Sequence, residues 1–419
     1  MGVLELLERL LAVARGDEAA DLVLTGGRVV DVFTGSVVEC DAAVVDGLIA
    51  SVGPRREAAE VIELAGRYLL PGLIDAHVHL ESSMVTPFEF ARAVVPRGTT
   101  AVVTDPHEVA NVAGADGVRW LLEASENLPL AVLVMAPSCV PATHLATAGA
   151  ELDVDDLEEL SRHQRVVGLA EVMNVPGVVL GDRAVHAKIE AFAGRPVDGH
   201  GPGLAGDWLQ AYTAAGVGTD HETLTPEEAQ EKLRLGMRVW LRQGTGARNL
   251  VDLLPVVTPA TSRRCGFCTD DRHPHDLLDE GHIDHLLRLA MASGLDPITA
   301  IQMATLNIAE AYGLDDRGAI APGRRADLVV TTNPGCLGQI ADGLVVDVLA
   351  DHSFPSAPRL GRLLQWREIR VDQAHRKATR VPFFDPEVQP VPGLGLRSLR
   401  VWQPTPLPGE KGFAGEAHQ

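Results

Sequence analysis

"LIDAHVHL", residues 73–80, closes an apolar run with two histidines one residue apart, His77 and His79. In a strand, residues i and i+2 point to one face, so the two imidazoles converge on one point. A lone His-X-His is weak evidence, because such pairs also arise by accident in cores and on surfaces. The pair gains meaning from what the chain does after it.

Beyond residue 72, apolar β-branched segments alternate with segments rich in Ala, Leu and Glu. The strand candidates are "LIDAHVHL", "TTAVVTDPHE", "LAVLVMAPSCVP", "VVGLAEVMN", "RPVDGHGPG", "GVGTDHE", "RVWLRQGT" and "CGFCTDD". Stretches 113–127, 153–163, 182–193, 204–215 and 225–235 supply helices between most of them. Strands alternating with helices pair in parallel. Eight such units predict a closed, TIM-like (β/α)8 barrel, and pattern alone leaves an open doubly wound sheet as the alternative. A chain of 419 residues is too long for one ordinary compact domain, but such a barrel occupies much of it.

Ahead of the barrel, "VLELLERLLAVAR" has apolar positions at helical spacing. Short β-rich pieces follow, "DLVLTGGRVVDV", "DAAVVDGLIASVG" and "VIELAGRYLLPG", punctuated by Gly and Asp as in a small antiparallel sheet. "GAIAPGRRADLVV", 318–330, reads as a return to that sheet. The expected organisation is a helix over 1–17, a first part of a small β domain over 18–70 and the barrel over 71–315. A return segment over 316–350 completes a small β-sandwich, and a Pro-rich tail covers 351–419.

Formal net charge is −21, from 57 acidic against 36 basic residues. Binding a phosphate backbone needs a basic face, so no nucleic-acid partner is expected. Five cysteines do not make a disulfide framework. Cys265 and Cys268, a lone CxxC inside an apparent strand, read as buried small hydrophobes rather than a zinc or redox site. The amino end has acids among its leucines and lacks a signal peptide's basic start and continuous apolar core. Leu6 stands where a myristoylation motif needs Ser or Thr. No stretch is long and apolar enough to span a membrane, and the cytoplasm is the default expectation.

Chemistry in a (β/α)8 barrel sits at the carboxyl ends of the strands. Ending the first candidate strand are His77 and His79, and ending the second Asp105, His107 and Glu108. Ser138 and Cys139 end the third, Glu171 the fourth, His200 the fifth, and His221 with Glu222 the sixth. Gln243 and Thr245 end the seventh, and Asp270 and Asp271 the eighth. Each has a bland explanation: Asp105 as a turn residue before Pro106, Glu222 as a helix cap, His200 as a loop residue between glycines. None of these accounts for the joint pattern. Histidine with carboxylate is a ligand set for a divalent first-row metal, and this many donors suffice for two ions sharing a carboxylate.

The motifs "DPHEVANV", "AEVMN", "VDGHGPGL", "GVGTDHE", "EKLRLGM" and "TDDRHPHDLLDEGHID" now become recognisable. With the HxH segment and "IQMATLNIAEAYGLDDRGAIAPGRRADLVV", they resemble the amidohydrolase superfamily and, within it, the bacterial and archaeal adenine deaminases. The resemblance runs from about residue 18 to 330. It implies His77 and His79 on one metal, His200 and His221 on the other, and Glu171 bridging where many relatives use a carboxylated lysine. It further implies that Asp270 contacts the first metal and shuttles protons. "TDD" leaves that assignment open by one residue. Asp270 is preferred, with Asp271 facing substrate or holding the loop. Manganese or iron is the implied pair of ions, with zinc as a further candidate.

The implied reaction is hydrolytic deamination of adenine to hypoxanthine and ammonia. Position nominates Glu81, Ser83, His107, Glu108, Glu222 and Asp271 for substrate contacts, with Ser82 in the same cluster as Glu81 and Ser83. Two other readings stay open: a different amidohydrolase reaction, on a cyclic amide or related purine, and a metal-binding homologue with impaired catalysis. The unrelated zinc nucleobase-deaminase signature H-x-E…P-C-x-x-C is absent. A homodimer or higher homo-oligomer is compatible with the sequence. After "ADLVV" the family pattern stops, and "VPFFDPEVQPVPGLG" and "VWQPTPLPGE" show no helical or strand period. The expectation is that residues from about 331 onward are a truncated or frame-shifted replacement for a longer carboxyl-terminal region.

Overall fold

The structure, a computed structural model, describes residues 2–332 and the strand Val348–Leu349. The expected tail over 351–419 lies outside the described residues. Helix Val3–Arg15 comes first and lays Leu6, Leu10 and buried Val13 against a sheet. Seven short strands follow: β1 Ala20–Thr25, β2 Arg28–Asp31, β3 Ser36–Glu39, β4 Asp41–Val45, β5 Leu48–Gly53, β6 Ala58–Glu63 and β7 Tyr68–Pro71.

Eight parallel strands come next: β8 Leu73–Val78, β9 Thr99–Thr104, β10 Ala131–Ala136, β11 Val166–Val172, β12 Val197–Gly199, β13 Thr219–Asp220, β14 Arg238–Arg242 and β15 Cys265–Cys268. Each falls inside one of the eight segments predicted from the sequence. They form two arcs, β8 to β12 and β13 to β15. Gly218 N donates to Val197 O at 2.9 Å where the arcs meet on one side. On the other, Asp270 N donates to His77 O at 2.9 Å and Val78 bridges Asp270. These contacts close the sheet into a barrel.

The chain then returns as β16 Leu328–Thr331, antiparallel to β7, with β17 Val348–Leu349 beyond it. One small sheet runs β5-β4-β1-β6 and the other β17-β16-β7-β2-β3. Leu22, Leu24, Val44 and Ile49 of the first pack on Val29, Leu69, Leu328 and Val330 of the second. That is a small sandwich. It differs from expectation in one respect, because β1–β6 and β2–β7 pair in parallel. Intervening strands bring the chain back to the same end before each pairing, which a tight hairpin cannot do.

Ile74, Ala76, Ala101, Val103, Leu133, Met135, Ala170, Trp240 and Cys268, from six strands, form one cluster inside the barrel. Their neighbours Val102, Val132, Val134 and Leu169 face the surrounding helices. In β8 this alternation is interrupted. Asp75 is opposite Val102 and Val78 is opposite Thr104, so β8 carries one extra residue there. Such a bulge reverses which side chains face inward. Ile74 and Ala76 fill the interior below, and His77 and His79 take the same side above.

The helix after β9 spans His107–Ala124, starting earlier than the predicted 113. His107 and Glu108 are therefore its first turn rather than the end of the strand. Pro106 has no N–H for the ladder and stands at the helix N-cap, where that loss is harmless.

Asp75 locks the closure from beneath. Fully buried, it accepts from Thr269 N (3.1 Å), Thr269 Oγ1 (2.5 Å) and His77 N (3.2 Å), and His282 Nε2 lies 3.0 Å away. Asp75→Ala strands these buried donors, so unfolding free energy should fall by about 3 kcal/mol. Urea unfolding checks this, and an unchanged midpoint means the closure does not lean on Asp75.

Candidate metal centre at the barrel mouth

His77 from β8 and His79 just beyond it, Glu171 from β11, His200 and His221 beyond β12 and β13, and Asp270 beyond β15 come together at the mouth. His77 Nε2 and His79 Nε2 are 3.2 Å apart, and each is 3.1 Å from Glu171 Oε1. Asp270 Oδ1 lies 3.0 Å from His79 Nε2 and 3.7 Å from His77 Nε2. The other oxygen, Glu171 Oε2, is 2.6 Å from His200 Nδ1 and 3.7 Å from His221 Nε2. His77 stacks on His221 with centroids 3.9 Å apart. One carboxylate thus divides its oxygens between two histidine pairs.

The donors fit cations. His79 Nδ1 is 2.8 Å from the Asp105 carbonyl, which can only accept, so the ring carries hydrogen there and a neutral ring offers its Nε2 lone pair to the cluster. Glu171 Oε1 is buried and has no hydrogen bond of good geometry, although two imidazole nitrogens stand beside it. With neutral rings acceptors would face acceptors, so positive charge is needed between them. Without a metal ion protons supply it, since against their burial His77 and His79 are raised by Glu171 and Asp270. Burial alone would raise the Glu171 carboxyl, yet His221, His200, His77 and His79 hold it well below the ordinary range. Asp270 is also lowered against its burial, by the hydrogen bond from His79 and by the charges of His221, His79 and His77. His221 goes the other way, pushed well below its usual value by burial and by His77.

Around this centre the remaining predicted residues take distinct places. Glu81 Oε1 accepts from Val109 N at 3.1 Å, its Oε2 is buried without a partner, and burial pushes the carboxyl up to about 7. His107 Nδ1 is 3.0 Å from Asp105 Oδ2; burial opposes its charge, but Asp105 pushes the imidazole up to about 12. Ser82 Oγ touches both Glu108 Oε1, at 2.9 Å, and Asp271 Oδ1. Ser83 is not brought to the centre. It is buried in the 3-10 turn Leu80–Ser83, and its hydroxyl donates to the Leu80 carbonyl at 2.5 Å. Three residues per turn place the preceding serine on the exposed side. Asp270 joins the histidines and Asp271 does not, which resolves where the two side chains of "TDD" point. Cys265 and Cys268 are buried in β15, and burial pushes Cys265 up to about 12 and Cys268 well above its ordinary value.

Arg242, at the end of β14, is the residue the sequence reading missed. Its Nη1 is 2.6 Å from Asp270 Oδ2, and its guanidinium grips both oxygens of Glu222, Nη2 to Oε2 at 3.0 Å. Glu222 is therefore not a helix cap; Thr225 caps the next helix. The signal was a cation ending the apolar run "RVWL", on the same strand side as the interior Trp240. Arg242→Leu leaves two largely buried carboxylates without their cation, so the chelator-treated protein should lose about 3–5 kcal/mol of stability. Adding Glu222→Gln should recover part of it. Thermal unfolding checks both, and equal stability of Arg242→Leu and wild type removes the pairing from the account.

Residues 68–346 match the amidohydrolase family. The chain is 54% identical over 325 residues to an adenine deaminase of Desulfatibacillum aliphaticivorans, covering 77% of this chain and 57% of that protein. It is 49% identical over 379 residues to an adenine deaminase of Cereibacter sphaeroides, covering 90% and 66%. The chain thus spans about 57% to 66% of the length of these relatives. Among solved structures, an adenine deaminase superposes with a TM-score of 0.55 at 19% identity, over 74% of this chain and 89% of that one. A zinc-bound adenosine deaminase from Xanthomonas campestris gives 0.54 at 20% identity, over 75% and 85%. At such identity the likeness concerns the fold alone. A barrel closed around this His and carboxylate cluster, matched along 68–346, places the chain in the amidohydrolase family.

Proposed function

We propose that this chain deaminates adenine hydrolytically, giving hypoxanthine and ammonia, at two divalent cations, manganese or iron, with zinc as a further candidate. The observation that carries the reading is the Glu171 carboxylate, which turns one oxygen to His77 and His79 and the other to His200 and His221. Two relatives at about half identity are adenine deaminases, which selects the substrate.

His77, His79 and Asp270 would hold one cation, His200 and His221 the other, with Glu171 between. When bound, such a pair lowers the pKa of water toward neutrality and so supplies a nucleophile for the weakly electrophilic C6 of adenine. The protein handles the protons. Arg242 occupies Asp270 Oδ2, leaving Oδ1 turned toward His79, so Oδ1 is the atom that takes the proton and returns it to the departing amine. Attack at C6 builds negative charge on the ring nitrogens. His107, whose charge Asp105 favours against burial, and Glu81, whose carboxyl burial pushes up to about 7, would be the donors that meet it. Glu108, Glu222 and Asp271 would supply further substrate contacts. An adenine-to-hypoxanthine absorbance assay on metal-loaded protein tests the reading. Turnover of hydantoin or dihydropyrimidine with none of adenine would replace it with cyclic-amide hydrolysis.

A bridging carboxylate binds two cations at once, so Glu171→Gln should lower the metal-to-protein ratio of the folded fraction and not merely the rate. A ratio equal to wild type rejects the bridge. Asp270→Asn should reduce turnover by ~10²–10⁴-fold or more, beyond its loss of metal, because the amide cannot accept the proton. Asp271→Asn is the control, since that side chain lies outside the histidine cluster. A dead Asp271→Asn beside an active Asp270→Asn reverses the assignment.

A further inference from the structure

We infer that Lys232 fixes the spacing of His200 and His221, so that the cation at that pair depends on it while the cation at His77 and His79 does not. The inference rests on the two-cation reading and names a residue that touches neither ion. Lys232 lies on the helix Pro226–Arg234 and is fully buried. Its Nζ donates to Gly201 O (2.8 Å), Thr223 Oγ1 (3.1 Å) and Glu228 Oε1 (2.6 Å), and stands 3.0 Å from Asp220 Oδ1. Asp220 Oδ1 in turn accepts from Glu222 N and from Thr223 Oγ1, both at 2.9 Å, and its Oδ2 accepts from Gly201 N at 2.7 Å.

The ion pair therefore grips the residue after His200 by both its backbone N–H and its carbonyl, and grips the residues on either side of His221. Tyr212 takes the His200 N–H, and Asn249 reaches the His221 carbonyl, but each holds one segment only. Lys232 with Asp220 ties the two segments to each other next to the histidines, and Glu228, the other partner of Lys232, joins them further out by accepting from Gly203 N and Leu224 N.

The two pairs differ in how their rings are oriented. His79 is aimed by the Asp105 carbonyl on its Nδ1, the usual means of fixing a ligating imidazole. His221 Nδ1 is buried with no hydrogen-bond partner, so its ring direction comes from stacking on His77 and from the backbone on either side. That backbone is what the ion pair holds. The pair at β8 needs no such help, because its two histidines lie two residues apart on one continuous segment.

The test is titration of chelator-stripped protein with Mn²⁺, following stoichiometry and both affinities by calorimetry and metal analysis. Lys232→Met should bind one ion about as wild type does and the second ~10–100-fold more weakly, the loss typical of outer partners of metal ligands. Thr223→Val, nearly isosteric, removes a hydroxyl that contacts both Lys232 and Asp220 and should shift the second affinity the same way by a smaller factor. It carries the test if Lys232→Met fails to fold. Equal weakening of both ions, or two ions at wild-type affinity in the folded variants, overturns the inference. Fewer than two ions on wild type at saturation overturns the two-cation reading beneath it.

Discussion

The hydrogen bond from Asp270 N to His77 O, 2.9 Å, joins the last strand to the first and is at once the seam of the barrel and the frame of the candidate metal centre. A sheet of eight strands has two edges until this contact is made, and closure removes both. Making it sets Asp270 against the HxH pair, 193 positions away along the chain (270 − 77). Asp270 has a φ of 56°, a left-handed conformation that asparagine and aspartate tolerate better than most residues. The turn of the backbone there directs two consecutive carboxylates apart, Asp270 to the histidines and Asp271 to Ser82.

Gathering carboxylates at a buried point is costly unless cations accompany them. Here the compensation is local. Arg242 serves Asp270 and Glu222 together, Lys232 serves Asp220 and Glu228, and His107 faces Asp105. Glu171 lacks an arginine or lysine partner among its contacts and is surrounded by imidazoles instead. Imidazoles are the side chains that exchange a proton for a metal near neutrality. The centre is thus built to be held together by protons or by divalent ions, and its geometry favours ions because the His79 ring already spends its Nδ1 hydrogen on the Asp105 carbonyl.

Much of this was legible in one dimension. Eight β-branched segments separated by helix-like stretches predict a parallel sheet, closed or doubly wound, and the strand ends gather the polar candidates, while the family resemblance narrows them to His77, His79, Glu171, His200, His221 and Asp270. What stayed hidden depends on phase and on distant pairing. The bulge between Asp75 and Val78 cannot be read from alternation, which on its own sets the histidines on the side opposite Ile74 and Ala76. A 3-10 turn rather than a strand after His79 exchanges Ser82 for Ser83. Arg242 meets Glu222 and Asp270, 20 and 28 positions away, and Lys232 meets the Gly201 carbonyl, 31 positions away, contacts that local spacing does not reveal. The parallel pairings of the small sandwich were missed for the same reason.

The choice of ion follows from the donors that are excluded as much as from those present. Cys139 and Cys268 both lie near the mouth, and either as a thiolate would favour soft ions. Neither is grouped with the histidine and carboxylate donors among the described residues, and burial pushes Cys139 up to about 11 and Cys268 well above its ordinary value. The set left to meet a cation is imidazole nitrogen and carboxylate oxygen. Such donors suit manganese, iron and zinc alike, and they bind the first two more weakly than the third by the general order of divalent ions. The donor set alone therefore does not choose among these three ions. What the fold does fix is the placing of the donors, with Glu171 between the two histidine pairs that the strand ends present.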